Sequence, residues 1–385
     1  MRSVIRPVRV LRIAARTLSR PTAPYREGAV IAWVREWAAA APHLALRADA
    51  DGNLELRRCR VRPSRTPLVL AAHMDHPGFR AQRSRRTRSG VDVEALFLGG
   101  VRPEYFPGAR ARFFQKDGRE IPARVVSVRP ARGELRARLR AADAVPAGAF
   151  GMWDLPAFRR ARRDPDLLQT RAADDLAGVA AVLALLEVVD AIDPARAVDV
   201  RGLFTRAEEV GFVGAIAVAR ARRLPRGARI VAIEASKALP HAPQGAGPIV
   251  RVGDRTSVFD DALTRWITRV AADLESASAP GGFRWQRRLM DGGTCESTAY
   301  QLYGHRCAGL CLPLGNYHNM SDRGTRRIEA ESIRLADLVG LVRLFEGMVR
   351  RDGDCPRPGA PDPLRLRLER RFRAAARGLR RDPFS

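Results

Sequence analysis

Leu68-Val69-Leu70-Ala71-Ala72-His73-Met74-Asp75-His76-Pro77-Gly78 begins as an apolar run and ends on a His, a carboxylate two residues later and a turn. The apolar part reads as a buried strand, and Pro77-Gly78 forces the chain to change direction. Side chains alternate along a strand, so His73 and Asp75 leave its C-terminal end on one face. In an α/β sheet that end is where ligand sites are built. A capped loop with a surface His is the bland reading of the same residues. Partners elsewhere in the chain decide between the two.

On the N-terminal side, Tyr25 to Ala40 places Val30, Ile31, Val34 and Trp37 at helical spacing, and Leu44 to Val61 alternates around an Asp51-Gly52 turn, as a hairpin does. On the C-terminal side, short strand-like pieces (Val91 to Leu98, Arg110 to Gln115, Ala123 to Val128, Glu134 to Leu139) are separated by Asp117-Gly118 and Arg132-Gly133. They read as a small β-rich unit, residues 81–169, inserted into an α/β pattern that resumes afterwards. Ala172 to Val189 is a strongly apolar helix opening on Asp174-Asp175, and two acids there can simply cap the free N–H groups. The strand Ala197 to Thr205 runs into Glu208-Glu209-Val210-Gly211, and the strand Arg229 to Ile233 ends in Glu234. Asp260 to Glu275 reads as a helix, the strand Ala308 to Leu314 runs into Gly315-Asn316-Tyr317-His318-Asn319, and Ile328 to Arg350 reads as one long amphipathic helix.

The 385 residues, 46% of them hydrophobic, suffice for one large or two ordinary domains. No stretch of ~20 residues is apolar enough to span a bilayer. The formal charge of +26 is carried almost wholly by Arg, with Lys116 and Lys237 the only lysines, and Arg is spread through every segment. No zinc-finger, RRM or KH signature accompanies it, so a compositional bias towards Arg explains it better than a dedicated nucleic-acid function, although polyanions will be attracted non-specifically. Five cysteines without a CxxC pair are no disulfide framework and fit a reducing cytoplasm, and Cys307 and Cys311 read as core thiols. Met1 to Arg20 has a transit-peptide-like composition, but in so Arg-rich a chain it reads as a basic helix or extension. Residues 351–385 read as a basic, partly helical tail.

The polar residues gathered at strand ends are His73, Asp75, Asp174, Glu208, Glu209, Glu234 and His318. Two His and several carboxylates are the donors of a two-zinc hydrolase site, in which one carboxylate bridges the pair. A Glu-Glu pair can supply both a ligand and a proton acceptor, and Asp75 can orient the His73 ring.

Together these motifs resemble the dizinc aminopeptidases that include the tetrahedral (TET), glutamyl and deblocking aminopeptidases. The matching residues are His73-Met74-Asp75 with Gly78, Asp174-Asp175, Glu208-Glu209-Val210-Gly211 with Gly214-Ala215, Glu234, Gly293-Thr294 and Tyr317-His318. The resemblance covers about Pro21 to Arg350. It implies an α/β fold, a three-layer mixed-sheet zinc-exopeptidase domain (residues 21–80 and 170–350), with an inserted PDZ-like β-rich domain used in assembly. It also implies that His73, Asp174 and Glu234 hold one metal, that Asp174, Glu209 and His318 hold the other, that Glu208 is the general base, and that Asp75 supports His73. The implied enzyme is a cytoplasmic homo-oligomer, from dimer to dodecamer, with two zinc ions acting on peptides with a free N-terminus; cobalt or manganese suits the same donors. The sequence departs from the family at His76-Pro77, at Glu234 where Asp is usual, and at Cys295-Glu296. A related dizinc deacylase or dipeptidase, and an inactive relative that binds anionic partners, are the other two readings.

Overall fold

The computed structural model describes residues 3–88, 90–115, 117–131, 134–324, 326–356 and 363–375. From the N-terminus the chain forms α1 (Pro7–Leu18), α2 (Gly28–Ala39), the hairpin of β1 (Leu44–Ala48) and β2 (Leu54–Arg58), and β3 (Leu68–His73). Six strands follow: β4 (Gly78–Thr87), β5 (Gly90–Leu98), β6 (Arg110–Phe114), β7 (Glu120–Ala131), β8 (Glu134–Ala141) and β9 (Phe150–Trp153). Short strands β10 (Phe158–Arg160) and β11 (Leu167–Thr170) lead into α3 (Leu176–Ile192) and β12 (Val200–Thr205). Next come α4 (Val213–Arg220), β13 (Arg229–Lys237), β14 (Ile249–Gly253), α5 (Asp261–Ser276), β15 (Gln286–Leu289), α6 (Glu296–Leu302) and β16 (Arg306–Leu314). The described chain closes with β17 (Glu331–Arg334), α7 (Leu335–Arg350) and α8 (Pro363–Ala375).

The apolar run at β3 does form a fully buried strand, and it lies inside an eight-stranded sheet ordered β1-β2-β12-β3-β13-β16-β14-β15. β12, β3, β13 and β16 run parallel, so their C-terminal ends share one edge. Strand alternation sorts β3 between two layers. Leu68, Leu70 and Ala72 join the core with α1, α3, α5 and α7, whereas Val69 and Ala71 pack with α4 and α6. Because α3 is apolar all round, it must be enclosed, and α1 and α7 enclose it. The N-terminal segment is therefore no loose extension. Val10, Ile13, Ala14 and Leu18 bury its apolar face in the main core while its arginines stay outside.

The inserted strands close into an antiparallel barrel, β4-β5-β8-β7-β6-β9, around a core of its own that includes Phe79, Phe97, Phe106, Phe113 and Trp153. Only Met74 to Pro77 separate β3 from its first strand. Three sequence expectations shift. The barrel ends at Trp153, because β10 and β11, read with the insert, instead form a three-stranded sheet with β17. Residues 331–334 are β17 and not the start of a long helix, since Glu331 pairs with Thr170 and Arg334 with Leu167. β13 also continues beyond Glu234 to Lys237, because β16 pairs with it along its whole length. Of the basic tail, 352–354 form a short turn of helix and 363–375 are helical, while 357–362 and 376–385 lie outside the described residues. Among the described residues no helix is long and apolar enough to cross a membrane.

Candidate metal centre

At the shared strand edge, His73 is the last residue of β3, opposite Thr205 at the end of β12. The chain then turns, and Asp75 holds that turn: its Oδ1 accepts from the Glu208 amide at 2.9 Å and its Oδ2 from the Glu209 amide at 3.1 Å. One buried carboxylate thus sets the backbone of both glutamates. Asp75 also borders His73, whose Nδ1 lies 3.2 Å from the Asp75 main-chain oxygen and 3.6 Å from Oδ1. Asp174 precedes α3, whose N-cap is Asp175, accepting from the Gly178 amide at 3.0 Å. The capping role foreseen for the acid pair falls to Asp175 alone, which leaves Asp174 to face the edge. Its Oδ1 accepts from the Ala235 amide beside Glu234 at 3.2 Å.

All the named side chains meet. His73 Nε2 lies 3.6 Å from Asp174 Oδ1, 3.7 Å from Glu234 Oε2 and 3.9 Å from Glu208 Oε2. His318 Nε2 lies 3.6 Å from Asp174 Oδ2 and 3.2 Å from Glu209 Oε1. Asp174 therefore stands between the two imidazoles, with one oxygen towards each. His318 Nδ1 is 2.8 Å from the Gly100 carbonyl in the barrel. That oxygen can only accept, so Nδ1 carries a proton and Nε2 is the nitrogen that faces the carboxylates. Ligand atoms of His73, Asp174 and Glu209, and of His73, Glu208 and Glu234, lie within 4.8 Å of one another and could hold a cation.

The electrostatics fit a metal centre. Burial pulls both imidazoles down, yet Glu208, Asp174, Asp75 and Glu234 lift His73 well above its usual range, and Glu209 and Asp174 do the same for His318. Burial pushes Asp174 up, but His318 and His73 hold it well below the carboxylate range. Glu208 and Glu234 are raised, chiefly by burial and then by the acids around them. Glu234 Oε1 is buried with no hydrogen-bond partner. So many carboxylates in a desolvated place repel one another, and divalent cations bound by these N and O donors would relieve that cost.

A cleft of about 360 Å³ opens from the centre, lined among others by Glu208, Glu209, Glu234, Lys237, Arg251 and Met290. Arg251 on β14 is only 3% exposed, its Nε has no hydrogen-bond partner, and it forms no ion pair among the described residues. It was missed in the sequence because nothing separates it from the many other arginines. Glu331, His76 and Asn319, all fully buried around Asp174 and His318, were also given no role; Glu331 opens a strand and does not end one, and in the turns holding His76 and Asn319 nothing local shows that they are buried.

A buried His and carboxylate cluster at the C-terminal edge of an α/β sheet, opening on a cleft, is the arrangement of a metallopeptidase-type hydrolase. The family model of M42 glutamyl aminopeptidases matches residues 141–327. That match spans just under half of the chain, and with the aminopeptidase structures of the same fold it supports a hydrolase of aminopeptidase type. Among solved structures it resembles the Desulfurococcus kamchatkensis aminopeptidase APDkam598 (19% identity, 89% of this chain and 95% of that one, TM-score 0.72). It also resembles the Pyrococcus horikoshii TET1 peptidase, which assembles into a tetrahedron or an octahedral shell (20% identity, 88% and 99%, TM-score 0.71). A third is the M18-family aminopeptidase of Thermotoga maritima (13% identity, 86% and 94%, TM-score 0.65). At these identities the likeness is one of fold. Among curated proteins no sequence match is found.

Proposed function

We propose that the chain is a dinuclear metallo-aminopeptidase that removes N-terminal residues from peptides. The observation that carries this reading is the position of Asp174, with one oxygen 3.6 Å from His73 Nε2 and the other 3.6 Å from His318 Nε2. His73, Asp174 and Glu234 would hold one divalent cation and Asp174, Glu209 and His318 the other, zinc first. Cations held by these residues would supply Lewis-acid polarisation of the scissile carbonyl and would make a water acidic enough to attack at neutral pH. Glu208 takes the proton from that water on its carboxylate and hands it to the departing amine nitrogen. Asp75 keeps Glu208 and Glu209 on their respective sides by accepting both of their amides. The choice of Glu209 as ligand rests on its approach of 3.2 Å to His318 Nε2, with Glu208 turned towards His73. The surplus of carboxylates attracts a free α-ammonium group, which favours peptides with an unblocked N-terminus.

Arg251 supplies a basis for side-chain choice. A buried guanidinium that forms no contact ion pair among the described residues, in the cleft beside the centre, suits an acidic N-terminal residue, in keeping with the matched family's description. The same guanidinium could instead take the α-carboxylate of a dipeptide, which is the related dipeptidase reading. We extend to this chain the homo-oligomeric assembly of its structural relatives, with the inserted barrel in the place of the family's PDZ-like unit. The test is metal content per chain, measured together with amino-acid release from free, N-acylated and dipeptide substrates. Near two metals with stepwise N-terminal release is the expected result; release from acylated substrates alone would refute it.

A further inference from the structure

Behind the centre lies a buried polar group that the mechanism does not use. Glu331, at the start of β17, is fully buried. Its Oε2 accepts from the Ala173 amide at 2.7 Å and the Asp174 amide at 3.1 Å, and its Oε1 accepts from the His318 amide at 2.8 Å. One side chain therefore ties together two segments that approach only in the folded state. Beside it, His76 Nδ1 lies 2.7 Å from the Asp174 carbonyl and Nε2 lies 3.0 Å from Asn319 Oδ1. The Asn319 amide is oriented by its donation to the Arg171 carbonyl at 3.2 Å, so both His76 nitrogens face acceptor oxygens. The Glu331 Oε1 lies 4.0 Å from His76 Nε2, so the ring packs against the same carboxylate.

The His318 loop needs such support. Asn316, His318 and Asn319 have φ of 56°, 53° and 63°, in the left-handed region that non-glycine residues enter at a cost of ~1–2 kcal/mol each. A side chain at Gly100 would meet His318 Nδ1 at 3.4 Å, so the barrel leaves the ring little freedom on its other side.

We propose that Glu331, backed by His76, is a positioning residue that sets Asp174 and His318 at the mutual placement the second metal requires. It touches neither substrate nor the metal positions; it acts through the backbones of two proposed ligands. The inference rests on the dinuclear reading for its consequence but not for the clamp itself, and two measurements separate these. In metal-free protein, amide hydrogen exchange reads the clamp. Glu331→Gln puts an NH2 group against one of the amides, and exchange at 173–175 and 316–319 rises at least tenfold while the barrel strands are unchanged. Cobalt(II) titration followed by visible absorption reads the consequence. Wild-type protein takes two ions; Asp174 serves both but His318 only one, so in Glu331→Gln the ion held with His318 weakens about 10–100-fold, the usual effect of losing a group that supports a ligand, and the ion held with His73 and Glu234 weakens clearly less. A merely structural residue would weaken both ions equally or neither, and either result overturns the proposal, as does unchanged exchange at both segments. Failure of the wild type to bind any cobalt would overturn the dinuclear reading, with the exchange result still judging the clamp. Where Glu331→Gln does not fold, His76→Gln serves: Glu331 keeps its three amides, and the same two segments and the same ion respond in the same direction, by less.

Discussion

Arg251→Met is the sharpest perturbation of the cleft. Methionine keeps an unbranched apolar stem in the buried position and removes the guanidinium with its charge and hydrogen-bond donors. Arg251 is 3% exposed and lies among Glu234, Asp254, Cys295 and Cys311, so a substrate carboxylate meeting it is desolvated as well. Truncating one partner of a buried charge pair costs about 2–5 kcal/mol. At 1.36 kcal/mol per decade, kcat/KM for peptides beginning with Glu or Asp should fall by roughly 30-fold to a few thousand-fold. Peptides beginning with Leu or Ala make no use of the guanidinium, and their kcat/KM should stay within about threefold, because burial of the remaining side chain is unchanged. The assay is kcat/KM across Glu-, Asp-, Leu- and Lys-peptides, with metal content measured on the same samples. Equal losses for acidic and neutral peptides would refute the reasoning and assign Arg251 to balancing Glu234. A wild type that cleaves neutral peptides as well as acidic ones would refute it equally.

Glu208→Gln should lower kcat by about 10²–10⁴-fold while both metals stay bound, since a proton acceptor is lost and no ligand; loss of metal would reverse the roles of Glu208 and Glu209. His318→Ala should weaken one metal far more than the other in a competitive chelator titration, and equal retention of both would remove His318 from the ligand set. In the metal-free protein, Glu296 offers a pH test, because burial lifts its carboxyl from 4.5 to about 8. The folded state therefore keeps a proton that the unfolded chain releases, and that stabilisation is complete below pH 4.5 and lost as pH rises towards 8. Glu296→Gln should match wild type in urea unfolding at pH 4 and then gain on it by up to ~1.4 kcal/mol per pH unit, to a ceiling of a few kcal/mol; a pH-independent difference would contradict the burial argument.

Local pattern carried much of this protein. The apolar runs ending at His73 and Thr205, the helix opening after Asp174 and Asp175, and the loop bearing His318 are all visible in the chain, because strand and helix periodicities are local and turn residues are specific. Their order, strand by strand, was enough to suggest which polar residues lie on one edge. Where local pattern was ambiguous, pairing across the fold decided. Residues 331–334 continue smoothly into a helical pattern, yet they form a strand because β11 offers them a partner. Arg-rich residues 1–20 resemble an appendage in the sequence, yet α3 needs the apolar face of α1 for cover. The atoms that make the centre work were beyond the reach of periodicity. That Asp75 grips the Glu208 and Glu209 amides, that Glu331 ties Ala173 and Asp174 to His318, and that Arg251 forms no ion pair among the described residues are facts about groups far apart in the chain. Sequence alone determined which residue types reach the sheet edge; only the tertiary structure decided which of their oxygens and nitrogens face one another, because that depends on the closing of long loops and on the desolvation that follows.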